Sequence, residues 1–379
     1  KNYPRPELEE WIVARGEKPY RARQLMRWMY SARASSFAVM TDLSQPLRER
    51  LAAEAYLSRL TVKTVSRSVD GTDKFLFVME DGNCIETVLI PEKRHHTICV
   101  STQLGCAMGC AFCLSGKRGL LRNLSVAEIV NQVLHIRQEY LPDGAVINLV
   151  FMGMGEPLAN YENLLKALHL LTDPAGFNLS HRRITVSTSG LLPQLEMLSR
   201  ALPVNLAISL NAANDKLRTR LMPINKSYPL AELIAAAAHL PLPARNRITF
   251  EYILMKGVND SLEDARNLAG LLRRVPCKIN LIPYNETTPS FNAPAAAACL
   301  TPPGTGGIAV VQVFGKVAPG VPVVAHDFGR MFGAPGAVAA HQVVGGAVFV
   351  AAPADSFGVL GMEWKLLRLL GAHAAYRSL

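Results

Sequence analysis

Charge is scarce in this chain: Asp, Glu, Lys and Arg make up 18% of 379 residues against 49% hydrophobic ones, a balance that excludes a disordered protein. Acidic residues are the scarcer kind, 30 against 40 Lys and Arg, and the net charge of +10 points to a polyanionic partner such as nucleic acid. The opening KNYPRPELEEW has no apolar stretch of the sort a secretory leader carries, so a cytoplasmic protein is expected. Cysteines number only seven. An odd set in a chain of this length excludes a disulfide framework and favours reduced thiols serving a metal or a reaction. Met331 to Pro353 holds no charge, but its glycines, prolines, His341 and Gln342 argue against a membrane span, and no membrane partner is expected.

What is present falls into three blocks, expected as domains over residues 1–58, 59–290 and 291–379. In the first, Ala22, Leu25, Met26 and Met29 recur at helical spacing while Arg21, Arg23 and Arg27 occupy other faces, which predicts a basic amphipathic helix. A second helix follows Ser44, with Leu47 and Leu51 one turn apart. The basic face reads either as an ordinary solvated surface or as part of a small RNA-contacting accessory domain. The second block opens with LTVKTVSRS, DKFLFVME and CIETVLI, separated by Asp70-Gly71 and Asp81-Gly82, and this predicts a β-meander. From residue 97 the runs TICVST, INLVFMG, RITVSTS, VNLAISL, RITFEYIL and KINLIPY recur, the first five with helix-length intervals after them. Alternation of that kind implies an α/β fold with a parallel sheet, a barrel or a doubly wound sheet. Ser125 and Glu128 form a capping box for the first intervening helix, with Leu124 and Ile129 as its hydrophobic staple.

Ligands in such folds sit at the carboxyl ends of the strands. Each run here ends in something polar or glycine-rich: a cysteine loop, GMGEP, STSG, SLN, KGVND and PYN. The loop holds Cys106, Cys110 and Cys113 in the pattern C-x3-C-x2-C. Three thiolates within eight residues can wrap one corner of a cubane iron–sulfur cluster and leave its fourth iron open. A structural zinc site wants four protein ligands; His95 or His96 would have to supply the last, so a zinc-stabilised RNA-binding protein stays an alternative. Cys84 and Cys277 read as core residues, and Cys84 shares a strand face with Glu86. Basic clusters at Lys93–His96, Lys117–Arg122 and Arg182–Arg183 are expected around one mouth, as a footprint for folded RNA.

The C-x3-C-x2-C loop at the end of the first strand resembles the radical S-adenosylmethionine (SAM) superfamily, and GMGEP one strand later resembles its cofactor-binding glycine loop. IETVLIP, CVSTQLGC, NLVFMGMGEPL, RRITVSTSG, SLNA and CKINLIPYN, with GEKPYRARQLMRWMY and MTDLSQPLRERL near the start, resemble the RlmN family of dual-specificity RNA methyltransferases over residues 5–287. The resemblance implies a radical SAM partial (β/α)6 barrel with an N-terminal helical accessory domain and methylation of C2 of adenosine in 23S rRNA and tRNA. It implies a [4Fe-4S] cluster on Cys106, Cys110 and Cys113, and SAM lined by Gly155, Glu156, Ser187, Ser209, Leu210, Asn211 and Asn285. Gly153 and Gly155 would let backbone approach the cofactor's amino acid part, and Glu156 would receive its ammonium. Glu86 would be the base that takes the C2 proton, from a partly buried mouth. Cys99 would resolve the protein–RNA adduct by disulfide formation. Electrons would come from a donor such as flavodoxin or ferredoxin.

The third block departs from that pattern. It holds only eight charged residues, and the family's methyl-carrying cysteine, in a Gly-Asp-Asp-Ile-x-Ala-Ala-Cys-Gly-Gln-like segment, has no counterpart there. Cys299 follows a run of alanines without Gly-Gln after it. TPPGTGGIAVVQVFG faintly resembles the opening strand of the N-terminal domain of TrmE-family GTPases, and no P-loop follows it. A SAM- and RNA-binding relic without methyl transfer is therefore the other alternative.

Overall fold

The N-terminal helices form where apolar side chains recur every three or four residues. The computed structural model describes residues 1–31, 34–243, 247–285 and 290–293, and the backbone of 311–314, 341–344 and 347–350. It divides into two compact units, residues 1–250 with 287–290, and residues 251–286 with 291–379.

In the first unit, α1 (Arg5–Val13), α2 (Tyr20–Tyr30) and α3 (Gln45–Glu54) turn the expected faces inward: Ala22, Leu25, Met26 and Met29 of α2 and Leu47 and Leu51 of α3 are buried. The meander follows as β1 (Thr61–Arg67), β2 (Asp73–Val78) and β3 (Cys84–Pro91), each pair antiparallel. Gly71 and Gly82 sit at the two turns with φ of +85° and +80°, and Asp70 and Asp81 accept backbone N–H bonds two residues on.

β3 pairs antiparallel with β4 (His96–Cys99), which is followed by the short antiparallel pair β5 (Gln103–Gly105) and β6 (Leu120–Asn123) around α4 (Leu114–Arg118). Next come α5 (Val126–Glu139), β7 (Ile147–Phe151), α6 (Tyr161–Thr172), β8 (Ile184–Thr188), α7 (Leu192–Ala201), β9 (Asn205–Ser209), α8 (Asp215–Leu221) and α9 (Leu230–His239). β4, β7, β8 and β9 are parallel neighbours in that order, the βα repeat expected from the sequence. The Ser125–Glu128 capping box is present, and Leu124 and Ile129 are fully buried beside it. Ile85, Leu89, Ile98, Ile147, Leu149 and Phe151 are buried on one sheet face, and Ile129, Val130, Val133, Leu164 and Leu168 of α5 and α6 are buried too. Burial of each large apolar side chain contributes about 1.5–3 kcal/mol. The N-terminal helices are tied to α6 by Lys166–Glu7 (2.9 Å) and to the residue after it by Arg5–Asp173 (2.8 Å).

In the second unit, β10 (Ile248–Leu254), which begins in the first, is followed by α10 (Leu262–Leu272) and β11 (Cys277–Pro283), with Cys277 buried. β12 (Val311–Phe314) pairs parallel with β11, and β13 (His341–Val344) and β14 (Ala347–Val350) form an antiparallel pair whose β14 neighbours β12. The VQVF of the TrmE-like stretch is β12; Cys299 and most of Met331–Pro353 lie outside the described residues. No helix among the described residues is long and apolar enough to cross a membrane.

Candidate active site

Register brings four of the expected residues onto one sheet face. Val88 of β3 lies opposite Cys99 of β4, and Cys99 opposite Val150 of β7. Val150 in turn faces Thr185 of β8, and Ser187 faces Ala207 of β9. Because side chains alternate along a strand, Glu86, Cys99, Ser187 and Ser209 all fall on the face opposite α5 and α6. Glu86 and Cys99 are diagonal neighbours across β3 and β4, a separation within reach of long side chains.

Glu86 is more open than expected. Its side chain is 44% exposed and pairs at 3.0 Å with Lys74 of the neighbouring strand β2. Cys99 is only partly exposed as a residue, and burial pushes its thiol up to about 11 against a smaller opposing contribution from the Met152 backbone. Cys84, expected in the core, is only half-buried on that same open face.

The cysteine loop leaves the carboxyl end of β4. Cys106 is buried, and its N–H donates to the Gly119 carbonyl; Cys113 N–H donates to Cys110 O, and Lys117 N–H to Cys113 O, which winds the loop into α4. The thiols are close enough to act on one another: burial first, then charge on Cys113, Cys106 and Glu156, pushes Cys110 up to about 12, while Arg218 opposes the shift. Burial also raises Cys106, helped by Glu156 and Cys113. Among the described residues no three His, Cys, Asp or Glu side chains converge on a single metal ion. The donor set is instead three unbridged thiols, the chemistry that suits three irons of a cluster, and that release protons on binding metal. His95 and His96 stand at the amino end of β4, with His95 paired to Glu92 at 3.0 Å, away from the loop that follows the strand.

GMGEP has a tighter role than cofactor approach alone. A Cβ on Gly153 would lie 2.8 Å from the backbone of Val100 and Ser101, and one on Gly155, at φ +101°, would lie 2.5 Å from Gln103 Cβ. Protein already fills those spaces, so both glycines are required by the packing of this loop on the start of the cysteine loop. Glu156 is 3% exposed and holds its carboxylate with the backbone N–H groups of Ser189 (2.7 Å) and Leu158 (3.1 Å). Burial raises its carboxyl above the ordinary range, and the Ser189 amide works against that shift. An ammonium would find oxygen lone pairs still open on this carboxylate.

Leu210 and Asn211 are buried just past β9, and Asn211 takes φ +57°, a left-handed conformation that asparagine tolerates better than most residues. Asn285, exposed at the end of β11, belongs to the second unit.

The basic clusters do not surround one mouth. Lys93–His96 precedes β4 and Arg182–Arg183 precedes β8, so both lie at the amino edge of the parallel strands, whereas Lys117–Arg122 lies by the cysteine loop. Arg122 is spoken for by Asp81 (2.7 Å) and Glu128 (2.8 Å).

Sequence reasoning missed Gln103, Gln132 and Arg218. Gln103 accepts from the Glu156 N–H (2.8 Å) and Gln132 brackets both backbone groups of Ser101 (2.9 Å each). Arg218, fully buried, donates to carbonyls past β8 and at the end of β9. Their signal was slight: polar residues that read as loop or solvated helix.

Comparison with known proteins matches residues 1–57 to the ribosomal RNA large subunit methyltransferase N-terminal domain and residues 100–269 to the radical SAM superfamily. A dual-specificity RNA methyltransferase RlmN from Geotalea uraniireducens is 51% identical over 286 residues, 76% of this chain and 82% of that one. The RlmN of Pelobacter propionicus is 50% identical over 300 residues, 79% of this chain and 85% of its own. A crystal structure of a radical SAM methyltransferase from Sphaerobacter thermophilus is similar at TM-score 0.72 and 45% identity, covering 77% of this chain and 87% of that one. With this identity, an α/β radical SAM fold and three free cysteines at the carboxyl end of β4, the chain belongs to the RlmN family of radical SAM RNA methyltransferases, whose cofactors are a [4Fe-4S] cluster and SAM.

Proposed function

We propose that this chain methylates C2 of adenosine in 23S rRNA and tRNA. The observation that carries the reading is the shared sheet face: Glu86, Cys99, Ser187 and Ser209 come from four strands to one surface, at whose edge the cysteine loop leaves β4. Cys106, Cys110 and Cys113 hold the cluster, and Gly155, Glu156, Ser187, Ser209, Leu210 and Asn211 hold SAM. Asn285 is assigned to the same cofactor on the resemblance alone. When bound, the cluster and SAM together supply a 5′-deoxyadenosyl radical.

The protein's own groups do the rest. Glu156 accepts the cofactor's ammonium through lone pairs that the Ser189 and Leu158 amides leave open. Glu86, solvated and paired with Lys74, trades that lysine for the C2 proton once RNA covers the face. Cys99, one diagonal step away, is held as a thiol by burial; as a thiolate it would attack the sulfur of a methyl-carrying cysteine, forming a disulfide as that sulfur's bond to the RNA-bound carbon breaks, so the step requires a carrier thiol. Residues 1–58 form the RNA-contacting helical domain, 59–290 the radical SAM core with its leading β-meander and 291–379 an atypical segment to which no role is assigned. The electron donor is a flavodoxin or ferredoxin.

The test is mass spectrometry of 23S rRNA and tRNA incubated anaerobically with reconstituted protein, SAM and reductant. 2-Methyladenosine is expected; cleavage of SAM with unmodified RNA would contradict the reading. That second outcome would favour a SAM- and RNA-binding relic, for which residues 291–379 supply the observation, since they lack the methyl-carrying segment of the family. An S-methylated cysteine in the chain would decide against the relic.

A further inference from the structure

α8 reads DKLRTRL, a charged run, yet Arg218 within it is 0% exposed. A buried cation is costly unless something compensates it. Among the described residues no carboxylate bonds this guanidinium; all its acceptors are neutral oxygens. Nε donates to Leu210 O (3.2 Å), Nη1 to Asn225 Oδ1 (2.9 Å), and Nη2 to Ser189 O (2.8 Å) and Ser209 O (3.2 Å). Three of these four carbonyl-type acceptors are backbone at the ends of β8 and β9, the segments assigned to SAM. Ser189 is shared between charges, since its N–H donates to buried Glu156 and its carbonyl accepts from Arg218.

The same helix is fastened to the cysteine loop. Ala111 N–H donates to Leu221 O (2.9 Å), and Gly109 packs beside Pro223, its added Cβ standing 3.8 Å from Pro223 Cγ. Asn225, which takes Nη1, is held by Asp215 Oδ1 and Thr219 Oγ1 at 2.9 Å each. Arg218 also acts electrostatically on Cys110.

We propose that Arg218 is a positioning residue of the cofactor site: its fork fixes the ends of β8 and β9 for SAM, and its charge offsets the negative charge of the loaded cysteine loop. The proposal rests on reading Cys106, Cys110 and Cys113 as the cluster site. Reduction adds one negative charge to the cluster, and a fixed cation in a low-dielectric surrounding favours the reduced form. A lysine would retain the charge but cannot span four acceptors.

The test compares reconstituted wild type, Arg218→Lys and Arg218→Met for iron content, melting temperature, cluster midpoint potential by EPR-monitored titration and SAM affinity by the spectral change on binding. Arg218→Met should shift the potential to more negative values and weaken SAM by at least about tenfold. Arg218→Lys should keep the wild-type potential while SAM binding weakens by about tenfold with iron content unchanged. If Arg218→Met fails to fold, the lysine variant decides alone: unchanged SAM affinity overturns the proposal. Variants whose only change is a lower melting temperature overturn it as well. A wild-type protein that takes up no iron overturns the cluster reading itself, and this proposal with it.

Discussion

The two edges of one set of parallel strands differ sharply. At the amino edge of β4, β7 and β8, Lys93, Arg94, Arg182 and Arg183 are solvent-facing or half-open, and His95 pairs with Glu92 near the surface. At the carboxyl edge the chain buries Glu156 and Arg218, bends Asn211 into a left-handed conformation and presses Gly153 and Gly155 against neighbouring backbone. Buried charge and unusual backbone both oppose folding, so their concentration at one edge marks where function rather than stability selects the residues. Exposed cations on the other edge cost little, because water solvates them.

Glycines sharpen this contrast most. Gly155→Ala at the carboxyl edge should destabilise by about 3 kcal/mol or more, from a Cβ that would clash with Gln103 at a positive φ. Gly144→Ala, just before β7 with nothing within 4 Å of an added Cβ, should cost only about 1 kcal/mol for its φ of +78°. Urea unfolding of the pair measures both, and equal losses would break the contrast.

A second comparison sets Glu251 of β10 against solvated carboxylates. Burial pushes its carboxyl up to about 7, and the Asn280 side-chain amide, donating at 2.7 Å, only partly offsets this. Between the ordinary carboxylate range and pH 7 the folded state holds more protons than the unfolded one, so stability must fall as pH rises through that window. Glu251→Gln should therefore match wild type at pH 4 and exceed it at pH 8 by on the order of 3 kcal/mol. Parallel stability curves from pH 4 to 8 would refute the buried state.

Thiol reactivity comes next. Cys99, held up to about 11, should alkylate with iodoacetamide at pH 7.5 tens of times slower than a free cysteine, as peptide mass spectrometry would show. The smallest effect belongs to the amino edge: Arg182→Ala should change stability by less than about 0.5 kcal/mol and leave iron content as it was.

Local patterns made much of the fold legible. The capping box at Ser125, the Asp-Gly turns and the alternating runs of β3 and β4 each specify an element through nearest neighbours. Glu86, Cys99, Ser187 and Ser209 could be named from motifs, although their common face depends on register across β3, β4, β7, β8 and β9. Arg218 could not be read, because a charged helix normally faces water and its burial is decided by carbonyls 8 to 29 residues away. The basic clusters divide between the two edges for a related reason: residues that precede a parallel strand lie at the end opposite to those that follow it. The packing demand on the glycines of GMGEP is equally illegible in the motif, because Gln103 and Ser101 meet them from another segment of the chain.

The most direct measurement is iron content of anaerobically reconstituted Cys106→Ala and Cys99→Ala beside the wild-type chain. The account predicts that wild type and Cys99→Ala hold a full cluster whose EPR signal changes on adding SAM, while Cys106→Ala holds little iron. Equal iron in both variants, or a wild-type signal indifferent to SAM, would contradict it.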